Sequence, residues 1–129
     1  MPRSILIVDD SQAVRHLVRS YLESQLDQVA CTEAVNGRDA IERVRNAKPD
    51  VIVLDVSMPI MNGLAAAPFL HDMAPLAPII LFTLHKDVVS EKQAVAVGIR
   101  AVVSKMDEVE VLLKSILKLT AIVRSTMPS

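Results

Sequence analysis

Ile5-Leu6-Ile7-Val8-Asp9-Asp10 decides the fold. Four aliphatic residues run without a polar interruption and stop at two carboxylates. A second run, Val51-Ile52-Val53-Leu54, stops the same way at Asp55. Short unbroken runs of this kind read as strands buried on both faces. If the two strands lie parallel in one sheet, their ends share an edge and three acidic groups converge there. Like charges held that close are unfavourable unless a cation or a proton intervenes. An arrangement that raises the free energy is a pointer to function.

The rest of the chain alternates around these two runs. Ser11 sits as a helix N-cap, and Val14, Leu17, Val18, Tyr21 and Leu22 follow as one apolar helix stripe. A weaker strand is expected over 29–35, then a turn at Asn36-Gly37 and a short helix over 39–47 with Ala40, Ile41 and Val44 inward. A third helix follows Gly63, and Pro68 predicts a kink or irregular start near Leu64. A fourth strand covers 78–83. A fourth helix covers 88–97, with Gly98 as its C-terminal cap. A fifth strand covers 100–104, and a last helix runs from Asp107 to about Arg124. In that helix Val109, Leu112, Leu113, Ile116, Leu117 and Val123 form the inward stripe, and Val111 and Ile122 fall outside it. Five strands alternating with five helices imply parallel pairing with helices on both faces, a doubly wound α/β fold. In such folds the site lies beyond the carboxyl ends of the strands.

Composition bounds the function classes. The chain has 129 residues, 51% of them hydrophobic, which suits one domain with an aliphatic core. Fourteen basic and 15 acidic residues leave a formal charge of −1, so no basic footprint for nucleic acid or membrane exists. Cys31 is the single cysteine, which excludes an intrachain disulfide and suits a reducing cytoplasm. No run approaches the ~20 apolar residues of a membrane span, and the first residues lack a signal-peptide layout. His16, His71 and His85 have no ligand spacing.

Asp9 and Asp10 after strand one, Asp55 after strand three, Met58-Pro59 and Asn62-Gly63 in the next loop, Thr83 ending strand four and Lys105 after strand five all fall on one sheet edge. Each alone has an ordinary structural use, as a cap, a loop carboxylate, a buried hydroxyl or a surface lysine. In joint order and spacing they resemble the receiver domain of two-component response regulators over about residues 4–120, with 121–129 a tail or the start of a linker. The resemblance implies a flavodoxin-like five-stranded parallel sheet of order 2-1-3-4-5 with five helices, and a phosphoacceptor switch that catalyses its own phosphorylation and dephosphorylation. Asp55 takes the phosphoryl group from a sensor histidine kinase or phosphotransfer protein. Asp10, Asp55 and the Ser57 backbone carbonyl hold Mg²⁺, or Mn²⁺ in its place, and Asp9 orients it. Lys105 and Thr83 bind phosphoryl oxygens, and Thr83 carries the switch. Ser57 and His85, each two residues past a site residue, flank the path of attacking water and tune the lifetime of the phosphorylated state.

Three positions depart from the family pattern. Val102 stands where an aromatic switch residue is usual, Leu84 where a small residue is usual, and Met106 where many receivers carry a cis proline. A β-branched side chain is stiff about its first torsion and has no ring to swing. Val111 and Ile122 read first as isolated exposed apolar residues, which are common on surfaces, and second as part of a partner or homodimer surface through helix four, strand five and helix five. Two other readings compete: a pseudo-receiver acting as an interaction scaffold, and a flavodoxin-like small-molecule binder. The second is disfavoured because Asp9-Asp10 replaces the Gly, Ser and Thr donors of a phosphate loop.

Overall fold

The computed structural model describes residues 3–126. Its elements are β1 (Arg3–Val8), α1 (Gln12–Gln25), β2 (Val29–Ala34), α2 (Gly37–Asn46), β3 (Val51–Leu54), α3 (Gly63–Met73), β4 (Ile79–Thr83), a 3₁₀ turn (Lys86–Val88), α4 (Glu91–Ala96), β5 (Ile99–Ser104) and α5 (Val109–Leu119). The five strands form one parallel sheet, as the alternating pattern predicts, in the order β2-β1-β3-β4-β5 that the resemblance implies.

Side-chain alternation along each strand splits the core into two layers. Leu6, Val8, Ile52, Leu54, Ile79 and Leu81 face Ala40, Val44, Ala66, Ala67, Leu70 and Ala94 of α2, α3 and α4. Ile5, Ile7, Val51, Val53, Ile80 and Phe82 face Val18 and Leu22 of α1 and Leu112, Leu113 and Ile116 of α5. Both aliphatic runs are therefore buried on both faces. Each buried Ile, Leu or Val contributes roughly 1.5–3 kcal/mol, which fixes the register of the strands. No helix among the described residues is long and apolar enough to cross a membrane.

Several boundaries differ from expectation, each for a local reason. Helix α2 begins at Gly37 rather than Asp39, because the Asn36 side chain accepts from the Asp39 amide at 2.8 Å and caps the helix. Helix α3 runs unbroken through Pro68. Its start is fixed by Asn62, which accepts from the Ala65 amide at 2.8 Å, so the proline removes one interior bond without breaking the turn. Helix α4 starts at Glu91, since Ser90 and Gln93 close a capping box. Gly98 does end that segment, at φ +85°. A Cβ there would also strike the ring of His71 on α3, so the position needs glycine twice over. Leu17 is 58% exposed, not part of the buried stripe. It lies ~100° around the helix from the buried Val18.

Helix α5 stops at Leu119 instead of Arg124. The Thr120 hydroxyl donates to the Ile116 carbonyl at 2.7 Å and accepts from the Ile122 amide at 3.1 Å, turning the chain. Ile122 then enters the core at 3% exposure, while Val123 points out at 56%. Both assignments reverse the helical expectation. The segment folds back on the α1–β2 turn, where the Asp27 amide donates to Val123 and the Ser125 amide to Gln25, each at 2.9 Å. Of the two residues expected outside the inward stripe, Val111 is exposed and Ile122 is not, which leaves Val111 alone for any association surface there. The tail residues 127–129 lie outside the described residues.

On the flank of α1 that faces β2, Arg15 Nε and Arg19 Nη1 each lie 2.8 Å from a different oxygen of Glu33. The Arg19 hydrogen bond, then the Arg15 bond, hold the Glu33 carboxyl below its ordinary 4.5 against the opposing effect of burial. A depressed carboxyl stabilises the fold above its unfolded value, and that contribution is lost as pH falls through the folded value. Glu33→Gln is expected to lower unfolding free energy by about 1 kcal/mol at neutral pH. In urea titrations the gap between variant and wild type should close as pH drops below the ordinary glutamate range. A gap that stays constant into acid would contradict this assignment.

Candidate acidic site at the sheet edge

The strands end in register. Val8 pairs with Leu54, Leu54 with Leu81, and Thr83 with Ser104. Two hydrogen bonds carry the ladder one residue further. The Asp55 amide donates to Val8 at 3.0 Å, and the Lys105 amide donates to Thr83 at 2.9 Å. Asp9, Asp55, Thr83 and Lys105 therefore project from backbone that the sheet holds rigid.

The predicted convergence is present. Carboxylate oxygens of Asp9, Asp10 and Asp55 lie within 4.8 Å of one another. Asp9 and Asp55 are buried at 2% and 5% exposure, and Asp10 is exposed. Lys105 Nζ stands between the two buried carboxylates, 2.6 Å from Asp9 Oδ2 and 3.2 Å from Asp55 Oδ2. The second oxygen of each is also bonded. Asp9 Oδ1 accepts from the Ser11 amide at 2.9 Å, and Asp55 Oδ1 from the Val56 amide at 2.8 Å.

Burial pushes the Asp9 carboxyl up, aided by the Asp55 charge, and the bonds from Lys105 and Ser11 only partly offset it. For Lys105, burial disfavours the ammonium, but the hydrogen bond to Asp9 and the charges of Asp9 and Asp55 together raise it above the usual lysine value. The lysine is thus held charged in a site where it is only 13% exposed.

Thr83 is fully buried, and its Oγ1 accepts from the His85 amide at 3.1 Å. His85, Ser57 and Leu84 are exposed on the rim of a depression of about 310 Å³ floored by Asp9, Asp55 and Lys105. Leu84 is 59% exposed and stands beside the opening. Val102 is not in this depression. It lines a separate groove of about 350 Å³ against Val89, Ala94 and Val95. The peptide bond after Lys105 is trans, as expected for Met106. His16 and His85 lie on the surface and His71 is half-buried.

The loop after Asp55 is closely packed. A Cβ on Gly63 would overlap the Asp55 carbonyl oxygen, and the Gly63 amide donates to Val56 at 2.9 Å. Only glycine lets α3 begin this near the acidic residue. Ile60 in the same loop adopts φ +69°, a conformation that a β-branched residue rarely takes. One contact escaped sequence reasoning: Arg15 Nη1 donates to the Asp9 backbone carbonyl at 2.7 Å. A basic residue beside an apolar helix stripe carries no pattern that distinguishes it from a surface arginine.

A family model for the response regulator receiver domain matches residues 5–117. A protein-glutamate methylesterase/protein-glutamine glutaminase from Methanococcoides burtonii is 46% identical over 78 residues, covering 60% of this chain and 22% of that protein. One of the same description from Archaeoglobus fulgidus is 38% identical over 113 residues, covering 87% of this chain and 32% of that protein. This chain thus spans less than a third of the length of either enzyme. The solved response regulator TrrA of Thermotoga maritima, in complex with Mg²⁺-BeF, superposes with a TM-score of 0.81 at 27% identity, covering 91% of this chain and 98% of that one. With the sheet order, the acidic edge and the family match in agreement, the chain belongs to the response regulator receiver domain family.

Proposed function

We propose that the chain is a phosphoacceptor switch in which Asp55 takes a phosphoryl group from a histidine kinase or phosphotransfer protein. The observation that carries this reading is Lys105 Nζ lodged between Asp9 and Asp55 inside a convergence of three carboxylates. An ammonium at that point offsets negative charge on Asp55 now and on phosphoryl oxygens later.

The donor set fits a hard divalent cation, because carboxylate and carbonyl oxygens are the ligands Mg²⁺ takes. Asp10, Asp55 and the Ser57 carbonyl would hold Mg²⁺, with Asp9 orienting it and Mn²⁺ as a substitute. When bound, the cation supplies positive charge between the carboxylates and the phosphoryl oxygens. The chain's own residues do the rest. A carboxylate oxygen of Asp55 attacks phosphorus in line, the bond from phosphorus to the donor histidine nitrogen breaks, and its electron pair stays with the imidazole. Positioning and charge neutralisation dominate such transfers. Lys105 then exchanges a carboxylate oxygen for a phosphoryl oxygen, and the Thr83 hydroxyl, whose oxygen accepts from the His85 amide, donates its own hydrogen to another. That added bond gives the β4–α4 loop two states, the basis of a switch of partner or of self-association. The methylesterase activity of the longer relatives is not needed for any of these steps.

Incubation with acetyl phosphate and Mg²⁺ tests the reading directly. Wild type is expected to gain one phosphoryl group by intact mass, and Asp55→Asn none. A wild type that gains none would leave the interaction scaffold as the better reading. A second measurement addresses the rim. Asp55 and Thr83 are each followed two residues on by a side chain at the mouth of the depression, Ser57 and His85. His85→Ala is expected to change the rate at which the phosphorylated protein loses phosphate. Equal rates in variant and wild type would remove His85 from that role.

A further inference from the structure

Four charged side chains form a closed set on the α1–β2 face. Arg15 and Arg19 both donate to Glu33 at 2.8 Å. Arg19 Nε also lies 3.5 Å from Glu23 Oε1. Two guanidiniums thus face two carboxylates with no charge left over. Arg15, with its side chain 12% exposed, has the additional partner described above, the Asp9 carbonyl 2.7 Å from its Nη1.

That carbonyl belongs to the peptide joining Asp9 to Asp10. A peptide is planar, so the place of its oxygen fixes the direction in which the chain enters Asp10. The other polar groups of Asp9 are already bonded. Its amide donates to Ala34 at 3.1 Å, and its two carboxylate oxygens meet Ser11 and Lys105. The carbonyl remains, just past the end of the strand ladder, and a buried carbonyl needs a donor. Asp10 is itself exposed, so its aim depends on its backbone.

We propose that Arg15 is a positioning residue of the acidic site: Glu33 fixes the guanidinium, and the guanidinium holds the Asp9–Asp10 peptide so that Asp10 faces Asp55. This inference rests on the metal-binding reading given above. The brace uses two nitrogens of one rigid fork, Nε on Glu33 and Nη1 on Asp9. Lysine has a single nitrogen and cannot span both acceptors. Because Glu23 and Glu33 match the two arginines in charge, the brace acts through geometry rather than by repelling a cation.

Titration of the ¹⁵N-labelled protein with Mg²⁺, followed through the Asp10 and Val56 amide shifts, reads the dissociation constant without any phosphorylation. Arg15→Met and Arg15→Lys are each expected to weaken Mg²⁺ binding about tenfold or more, and Arg19→Met, which spares the Asp9 contact, by no more than about twofold. An unchanged constant in Arg15→Met, or an equal loss in Arg19→Met, overturns the proposal. Should Arg15→Met fail to fold, Arg15→Lys and Glu33→Gln carry the same comparison, and unchanged constants in both overturn it. Failure of the underlying reading looks different. Wild type would then show no saturable Mg²⁺ shift, or Asp10→Asn would leave that shift intact.

Discussion

Three carboxylates at one sheet edge, held there by strand register, are the constraint to which the rest of the molecule answers. At an effective dielectric near 20, two like charges about 4 Å apart repel by about 4 kcal/mol. A whole domain is stable by only about 5–15 kcal/mol. The convergence therefore needs an opposing charge, and Lys105 supplies it from the end of β5. The position of β5 in the sheet, the bond from the Lys105 amide to Thr83 and the burial of the ammonium all serve that placement.

The backbone around the site is fixed by steric means as well as by charge. Glycine at position 63 lets the start of α3 lie against the Asp55 carbonyl. The Met61 carbonyl accepts from the Gly37 amide at 2.9 Å, tying the same loop to the start of α2. Ile60, just before these anchors, keeps its positive φ, and the Met61 amide donates across it to the Pro59 carbonyl at 2.7 Å. Such backbone outliers persist only where the surroundings over-determine them, and they cluster at functional sites.

The parallel sheet and the convergence were legible because both follow from strong local signals, whereas the strand order came with the resemblance. An unbroken aliphatic run has one good home, and a run that ends in carboxylates reveals which edge they share. The boundaries that escaped depend on contacts distant in sequence. Nothing near Ile122 announces that the chain will turn back to bury it against α1, since helical periodicity places it outside the inward stripe. The Ser90–Gln93 capping box was a local signal and was readable, but the apolar residues before it suggested an earlier start. Arg15 was illegible for a different reason. Its significance lies in a backbone carbonyl, and sequence patterns describe side chains. Roles of individual residues in phosphoryl transfer rest on the resemblance, whereas their meeting at one point rests on the fold.

Helix α4 is six residues long, held by one capping box and by Ala94 as its single buried side chain. Its neighbour across the groove is Val102, which is too short to fill the space between them. Local stability varies across any fold, and segments with few buried apolar contacts open at the least cost. In this molecule a short helix with one buried side chain adjoins the loop of Thr83. A displacement of that loop meets a soft element rather than a pivoting ring, so motion would spread as a change in how often α4 is formed.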